Sequence, residues 1–139
     1  MLKKLTVDTA KHTQMVNITE PVRKAVKESG VREGVCTVFV PHTTAGVTIN
    51  ENADPDVVRD ITAALEKLVP WEDGYRHAEG NSAAHLKAGL MGFSQQLIVD
   101  GGDLVLGTWQ GIWFCEYDGP RRRSVYVKVT ADGAMQERE

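Results

Sequence analysis

The fold is decided by the stretch Pro41-His42-Thr43-Thr44-Ala45-Gly46-Val47-Thr48-Ile49-Asn50-Glu51-Asn52-Ala53-Asp54, which leads from one buried strand into a helix. It carries one imidazole, three hydroxyls, two amides and two carboxylates in fourteen residues. The preceding run, Val35–Val40, is apolar and β-branched, which predicts a buried strand. Polar groups at the end of such a strand need partners, and a ligand or a metal can supply them. The simpler alternative is that Thr43, Thr44 and Thr48 line the outer face of an edge strand.

Two main helices flank this part of the chain. Thr19 is predicted as the N-cap of the first, with Pro21 in its first turn, and Gly30 ends it. The second begins with Asp54 as N-cap and Pro55 at the first helical position. Its apolar residues keep a helical period up to Val69, and Pro70 closes it. A shorter helix is predicted from Ala83 to Leu90.

The rest of the chain reads as strands joined by short turns, which indicates an α+β domain with mainly antiparallel pairing. The first strand and a second one over His12 to Ile18 are expected to form a hairpin. The later strands are expected within Gly92–Asp100, Leu104–Leu106, Ile112–Tyr117 and Ser124–Thr130. We treat residues 1–139 as one domain, with a frayed tail over 131–139.

Composition limits the classes of function. The net charge is −3 and no run is long and apolar enough to span a membrane, so neither nucleic acid nor a membrane is an expected partner. Cys36 and Cys115 lie inside apolar strands, far from any paired metal-ligand spacing. They are therefore expected to be reduced core residues of a cytoplasmic protein.

Three of the four histidines, His42, His77 and His85, lie in polar loops or at strand ends. Neutral imidazole is the commonest transition-metal ligand, and three of them with one open position make a hydrolytic zinc site. The sequence contains no tight spacing that proves convergence. His12 reads as an ordinary exposed histidine.

Other polar groups stand out against apolar surroundings. Glu116 interrupts an aromatic strand, and if it is buried it needs a cation, a metal or a raised pKa. If it faces water on an alternating strand, it carries no functional meaning. The run Arg121–Arg123 follows a turn and offers guanidinium groups suited to phosphate, although such a run is usually a solvated patch. Gly107–Gly111 combines glycines with Trp109, which either holds a planar ring or belongs to the core.

Several motifs in a fixed order resemble the YjbQ-like family, also named the secondary thiamine-phosphate synthase family. The resemblance covers roughly Lys4 to Val129. It rests on His42-Thr43-Thr44-Ala45, Asn50-Glu51-Asn52 with Asp54, Tyr75-Arg76-His77, His85-Leu86-Lys87, Gly92-Phe93-Ser94, Gly107-Thr108-Trp109-Gln110-Gly111-Ile112, and Glu116 with Asp118-Gly119-Pro120-Arg121. Asn81 departs from the pattern, since some members carry an acidic residue there, and this puts a metal or acid–base role for position 81 in doubt.

The resemblance implies an α+β fold with a β-sandwich and two main helices, assembled as a homotrimer. It also implies that His42, His77 and His85 gather in one pocket as a divalent-metal site, with zinc as the expected ion and Glu116 nearby.

The implied function is that of a thiamine-phosphate synthase, which joins hydroxymethylpyrimidine diphosphate to a thiazole phosphate and releases pyrophosphate. Magnesium or arginines would stabilise the leaving diphosphate. The residues expected to bind this phosphorylated small molecule are Thr43, Thr44, Asn50, Asn52, Lys87, Ser94, Thr108, Trp109, Gln110, Arg121 and Arg123.

Two alternatives stay open. Magnesium prefers oxygen ligands, so three histidines fit a zinc-type hydrolase better, with Glu116 or Glu51 as general base and Asp54 as a further catalytic candidate. The other alternative is a metal- or metabolite-binding trimer without chemistry. An open metal position with a base in hydrogen-bond reach would distinguish the enzyme from the binder.

Overall fold

The computed structural model describes residues 2–133, which form eight strands and three helices. The strands are β1 (Leu2–Asp8), β2 (Gln14–Asn17), β3 (Gly34–Phe39), β4 (Ala45–Glu51), β5 (Ser94–Asp100), β6 (Asp103–Leu104), β7 (Gln110–Glu116) and β8 (Arg122–Ala131). The helices are α1 (Thr19–Ser29), α2 (Pro55–Leu68) and α3 (Ser82–Met91). The predicted α+β class is confirmed. The three helices correspond to the two main helices and the short one that the sequence predicts.

The strands form two antiparallel sheets, in the orders β1-β8-β3-β5-β6 and β2-β7-β4. The predicted hairpin at the start of the chain is wrong, because β1 pairs with β8 whereas β2 pairs with β7. The chain changes sheet at Thr9, whose N–H donates to the carbonyl of Arg121 at 2.9 Å. This contact fixes the segment after β1 against the β7–β8 connection, so it cannot turn back along its own strand.

The main core contains apolar side chains from both sheets and from α1. Val22, Ala25 and Val26 form the buried face of α1, as the helical spacing predicts. A second cluster lies on the smaller sheet, where Ala84 and Ala88 of α3 contact the end of β7. This second contact holds the start of α3 near the β7–β8 connection, which becomes important for the site.

The start of α2 follows the prediction. Asp54 is the N-cap, and its Oδ1 accepts a hydrogen bond of 2.9 Å from the N–H of Asp56. Pro55 is the first helical residue, where a missing N–H costs nothing. Asp54 therefore has a structural role at the entrance of α2.

The prediction for the start of α1 is wrong by one residue. The helix begins at Thr19, and Ile18 occupies the N-cap without a side-chain cap. The Thr19 hydroxyl is used elsewhere, since it donates to Asn17 Oδ1 at 2.6 Å and accepts from the N–H of Ile112 at 2.9 Å. At the other end Gly30 stops the helix as predicted, with φ of 73°.

The remaining boundaries differ mainly at the chain end and at β6. The strand expected over Leu104–Leu106 pairs only at Asp103–Leu104. Ala131, expected in the frayed tail, is still paired in β8, and residues 134–139 lie outside the described residues. Cys36 and Cys115 are free and buried, as predicted, and burial raises their thiol pKa values to about 11 and about 12. None of the described helices has the length and hydropathy needed to cross a membrane.

Candidate functional site

The three predicted histidines line one polar cavity of about 450 Å³, which we call the histidine cavity. It lies where the β3–β4 connection, the α2–α3 loop, the start of α3 and the β7–β8 connection meet. Its walls are Pro41, His42, Thr43, Thr44, His77, Glu79, Asn81, His85, Asp118, Arg121 and Arg123. Residues far apart in sequence therefore share one site, which the sequence spacing did not prove.

His42 is held by the backbone of β8. Its Nε2 accepts a hydrogen bond of 2.9 Å from the N–H of Ser124. A ring nitrogen that accepts an N–H bond carries no proton, so the single proton of a neutral imidazole must sit on Nδ1. Burial lowers the pKa of His42, and the guanidinium of Arg123 lowers it further, which favours this neutral form. Nδ1 of His42 is therefore the ring nitrogen that can donate a hydrogen bond.

The rings of His77 and His85 meet edge to face, with centroids 5.5 Å apart and planes at 89°. Nε2 of His77 also lies 4.0 Å from Oε1 of Glu79. Within residues 2–133, however, no three histidine, cysteine, aspartate or glutamate side chains are placed to hold one metal ion. A three-histidine zinc site would also require Nε2 of His42 to give up its bond from Ser124, or Nδ1 to lose its proton. The arrangement therefore does not fit the predicted zinc site.

Glu116 lies beneath the cavity and is fully buried. Its Oε1 accepts from Thr9 Oγ1 and from Arg123 Nε, each at 2.8 Å, and its Oε2 accepts from Arg123 Nη2 and from the N–H of Asp118. Burial raises its pKa, but these hydrogen bonds and the guanidinium charge outweigh that effect and hold the pKa below its usual value. Four donors occupy the acceptor positions of this carboxylate, so in this structure Glu116 holds Arg123 in place.

Arg123 connects the buried Glu116 to Thr44 in the cavity wall. It is itself 5% exposed, and its Nη2 donates to Thr44 Oγ1 at 2.9 Å. Because the Thr44 hydroxyl accepts this bond, its own hydrogen is left to donate. The bidentate contact between a guanidinium and a carboxylate fixes the geometry more firmly than a single bond.

Asp118 organises the opposite wall. Its Oδ2 accepts from Arg121 Nη2 at 3.1 Å and from Asn81 Nδ2 at 2.9 Å, and its Oδ1 lies 3.7 Å from His12 Nε2. Arg121 also donates from Nε to the Asp118 carbonyl at 2.8 Å, and half of its side chain is exposed. These contacts leave Nη1 of Arg121 available for a ligand.

Asn81 is the residue that sequence reasoning undervalued. It is 7% exposed and lines the cavity, yet its Oδ1 accepts no hydrogen bond from any described residue. Glu79 and Asp118 also line the cavity and were not predicted as site residues. The available signal was position alone, since Asn81 precedes the helix that carries His85 and Asp118 follows Glu116 by two residues.

A second group of predicted residues lies at the other end of β4. Glu51 pairs with Gln110, and the N–H of Asn52 donates to the carbonyl of Trp109. Ala45, at the cavity end of β4, is six residues from Glu51, or about 20 Å along a strand. Within one chain, the following predicted residues therefore do not join the histidines: Asn50, Glu51, Asn52, Asp54, Thr108, Trp109 and Gln110.

Lys87 and Ser94 are also outside the cavity wall. Lys87 is 1% exposed, and its Nζ donates to Glu66 Oε1 at 2.5 Å on the side of α3 that faces α2. Ser94 begins β5 opposite Phe39. Next to the cavity, a smaller one of about 300 Å³ shares Pro41, His42 and Thr43 with it and is otherwise lined by Phe39, Val40 and Phe93.

Residues 3–132 match the profile of a protein family described as UPF0047 protein YjbQ-like. The chain is 51% identical over 130 residues to UPF0047 protein YugU of Bacillus subtilis, covering 93% of this chain and 98% of the relative. It is also 51% identical over 132 residues to UPF0047 protein MJ1081 of Methanocaldococcus jannaschii, covering 95% and 96%.

Solved structures show the same fold. An uncharacterised conserved protein from Clostridium acetobutylicum superposes with a TM-score of 0.91 at 57% identity, covering 92% of this chain and 99% of that one. A protein of unknown function from Sulfolobus solfataricus reaches the same TM-score at 32% identity, covering 95% and 97%. These similarities place the strands and helices described above in a known arrangement.

Proposed function

This chain belongs to the YjbQ-like UPF0047 family, and from the chemistry of its histidine cavity we propose that it is a transferase acting on a phosphorylated small molecule. The reaction we favour is that of a thiamine-phosphate synthase. The observation that carries the proposal is a cavity in which directional hydrogen-bond donors are arranged on a rigid, ion-paired base.

The donors come from three parts of the fold. They are Nη1 of Arg121, Nδ1–H of His42, the hydroxyls of Thr43 and Thr44, and the first turn of α3, which begins at the cavity. The first N–H groups of a helix have no partners inside it, and its positive dipole end favours anions. Each arginine is already balanced by a carboxylate, so recognition rests on donor geometry rather than on excess charge.

The proposed reaction matches this arrangement because it needs charge stabilisation and no base. The nitrogen lone pair of the thiazole phosphate forms a bond to the methylene carbon of hydroxymethylpyrimidine diphosphate. The bond from that carbon to the diphosphate oxygen breaks, and pyrophosphate leaves with the electron pair. No proton is removed, so the main task of the protein is to hold the developing negative charge.

The positions of the candidate bases argue against hydrolysis by a metal-bound water. That alternative needs a general base within reach, and the sequence offered Glu116 and Glu51. All four acceptor positions of Glu116 are used, and Glu51 lies at the far end of β4. A reaction without proton abstraction is therefore the better fit.

Metal ions keep a limited place in this proposal. Among residues 2–133 no three side chains of the types that bind zinc are placed around one point, and Nε2 of His42 accepts from Ser124. Magnesium brought by the diphosphate would meet carboxylate oxygens on Asp118 and Glu79, and it would help to neutralise the leaving charge. The neighbouring cavity between Phe39 and Phe93 offers apolar walls for a heterocyclic ring, a part that Trp109 is too distant to play within one chain.

We also propose the homotrimer that the resemblance implies. Supporting it, α2 has no fully buried residue, its apolar side is only half covered, and Leu68 is 70% exposed. Light scattering in solution tests this, and a monomer mass would contradict it.

Turnover tests the function. Purified protein is incubated with hydroxymethylpyrimidine diphosphate, thiazole phosphate and magnesium, and thiamine phosphate is measured by chromatography. We expect product from the wild type and at least tenfold less from Arg121→Gln. The control is Arg122→Gln, because Arg122 points away from the cavity and pairs with Asp8. Equal turnover in both variants, or none in the wild type, would contradict the proposal.

A further inference from the structure

The strongest unused feature of the molecule is the side-chain oxygen of Asn81. The residue sits at the N-cap of α3, where an asparagine oxygen usually accepts from the free N–H groups of the first turn. Here it makes no such bond. Nδ2 donates to Asp118 instead, and Oδ1 is left in the cavity wall without a donor among the described residues.

The orientation of this amide follows from its neighbour. Asp118 Oδ2 already accepts from Arg121, and a carboxylate has no hydrogen to give. Turning the amide over would place two oxygens against each other, so the NH₂ group must face Asp118. Oδ1 is consequently an acceptor, and an unpaired buried acceptor costs free energy until a donor reaches it.

The ionised oxygens of a phosphate group cannot be that donor, because they only accept hydrogen bonds. The donors of the cavity wall are suited to the anion, whereas the acceptor Oδ1 of Asn81 is suited to a hydrogen-bond donor elsewhere on the same ligand. We propose that Asn81 Oδ1 accepts a hydrogen bond from a neutral amino or hydroxyl group of the substrate, and so selects a phosphorylated compound that carries such a donor. This inference rests on the proposed function, under which the donor is the amino group of the pyrimidine.

Three ligands distinguish the proposed anion site from the proposed role of Asn81. Inorganic pyrophosphate reports the anion site alone. The monophosphate of 4-amino-5-hydroxymethyl-2-methylpyrimidine and its analogue with hydrogen in place of the amino group differ only in the donor. Their dissociation constants are measured by isothermal titration calorimetry at one salt concentration. We expect the amino compound to bind the wild type about tenfold more tightly, because a buried group is left unpaired by the analogue.

Two variants test the residue. In Asn81→Leu, which lacks both amide groups at similar size, the preference for the amino compound should disappear while pyrophosphate still binds. The exchange variant Asn81→Asp with Asp118→Asn keeps the net charge, restores an amide-to-carboxylate bond and keeps an acceptor in the wall. It should retain the preference, which shows that an acceptor at position 81 is what matters. Circular dichroism melting checks that both variants fold.

The results divide cleanly. Equal binding of the two pyrimidine compounds by a wild type that binds pyrophosphate would overturn the role of Asn81 and leave the proposed function standing. A preference that survives in Asn81→Leu would overturn it too. No pyrophosphate binding would overturn the anion site, whereas a preference for the amino compound that depends on Asn81 would still support this inference.

Discussion

The imidazole of His42 accepts a hydrogen bond from the backbone N–H of Ser124, with 2.9 Å between Nε2 and N. This contact joins the β3–β4 connection to β8 and sets the tautomer of the ring. It changes the chemistry expected of the site, because a histidine with Nε2 occupied and Nδ1 protonated donates to an anion and has no lone pair for a metal.

The stability of the protein should depend on pH through His42. Its folded-state pKa is lowered, by burial first and then by Arg123, so the unfolded chain takes up a proton at a higher pH than the folded chain does. The contribution is fully present above the ordinary histidine pKa of about 6.5 and is lost as the pH falls through the folded value. We expect the free energy of unfolding, from urea titrations at pH 7.5 and 5.5, to fall more in the wild type than in His42→Leu. Equal falls would contradict this.

The metal content of the protein provides a second test of the role of His42. We expect elemental analysis of untagged protein to give the same zinc content for the wild type and for His42→Ala, since His42 is committed to Ser124. His77→Ala and His85→Ala, which change the facing pair, serve as comparisons. Stoichiometric zinc that is lost in all three variants would restore the three-histidine site and the hydrolase.

The buried pair of Glu116 and Arg123 should matter for folding as much as for the site. Glu116→Gln leaves a buried guanidinium without its counter-charge, so we expect a loss of about 3 kcal/mol in the free energy of unfolding. Arg122→Gln breaks the exposed pair with Asp8, which solvent screens, so the free energy of unfolding should change little. Chemical denaturation measures the free energy of unfolding of both variants. Similar losses would show that the buried pair stabilises the fold no more than the exposed pair does.

Two glycines should respond in opposite ways to alanine. A Cβ at Gly46 would lie 2.6 Å from the carbonyl oxygen of Gly92, which accepts the N–H of Val47. Gly46→Ala should therefore destabilise the protein by about 1–3 kcal/mol through backbone displacement. Gly89 is an exposed residue of α3 with open space at Cβ, so Gly89→Ala should stabilise by about 0.5–1 kcal/mol. Thermal unfolding of both variants checks the signs.

Local chemistry was enough to predict most elements of the fold. The N-cap of α2 at Asp54, the stop at Gly30 and the buried strand before Pro41 all follow from residues that act within a few positions of each other. The pairing of β1 was missed because it depends on β8, more than a hundred residues later, and nothing near Asp8 encodes that partner.

The site divides in the same way. The three histidines do share a cavity, as the resemblance implied, and the arginines on either side of Arg122 reach it. Trp109 and Glu51 do not, since Glu51 ends β4 and Trp109 directly precedes β7, at the end of the sheet where Glu51 pairs with Gln110. Two of the hydrogen bonds that occupy Glu116 come from Thr9 and from the backbone of Asp118, and such contacts exist only in three dimensions.

The most direct test of the central claim is the binding of inorganic pyrophosphate, measured by isothermal titration calorimetry against the wild type, Arg121→Gln and Arg122→Gln. The proposed anion site predicts one pyrophosphate per chain, at least tenfold weaker binding in Arg121→Gln, and unchanged binding in Arg122→Gln, whose side chain lies outside the cavity. Absence of binding to the wild type, or equal weakening in both variants, would contradict it.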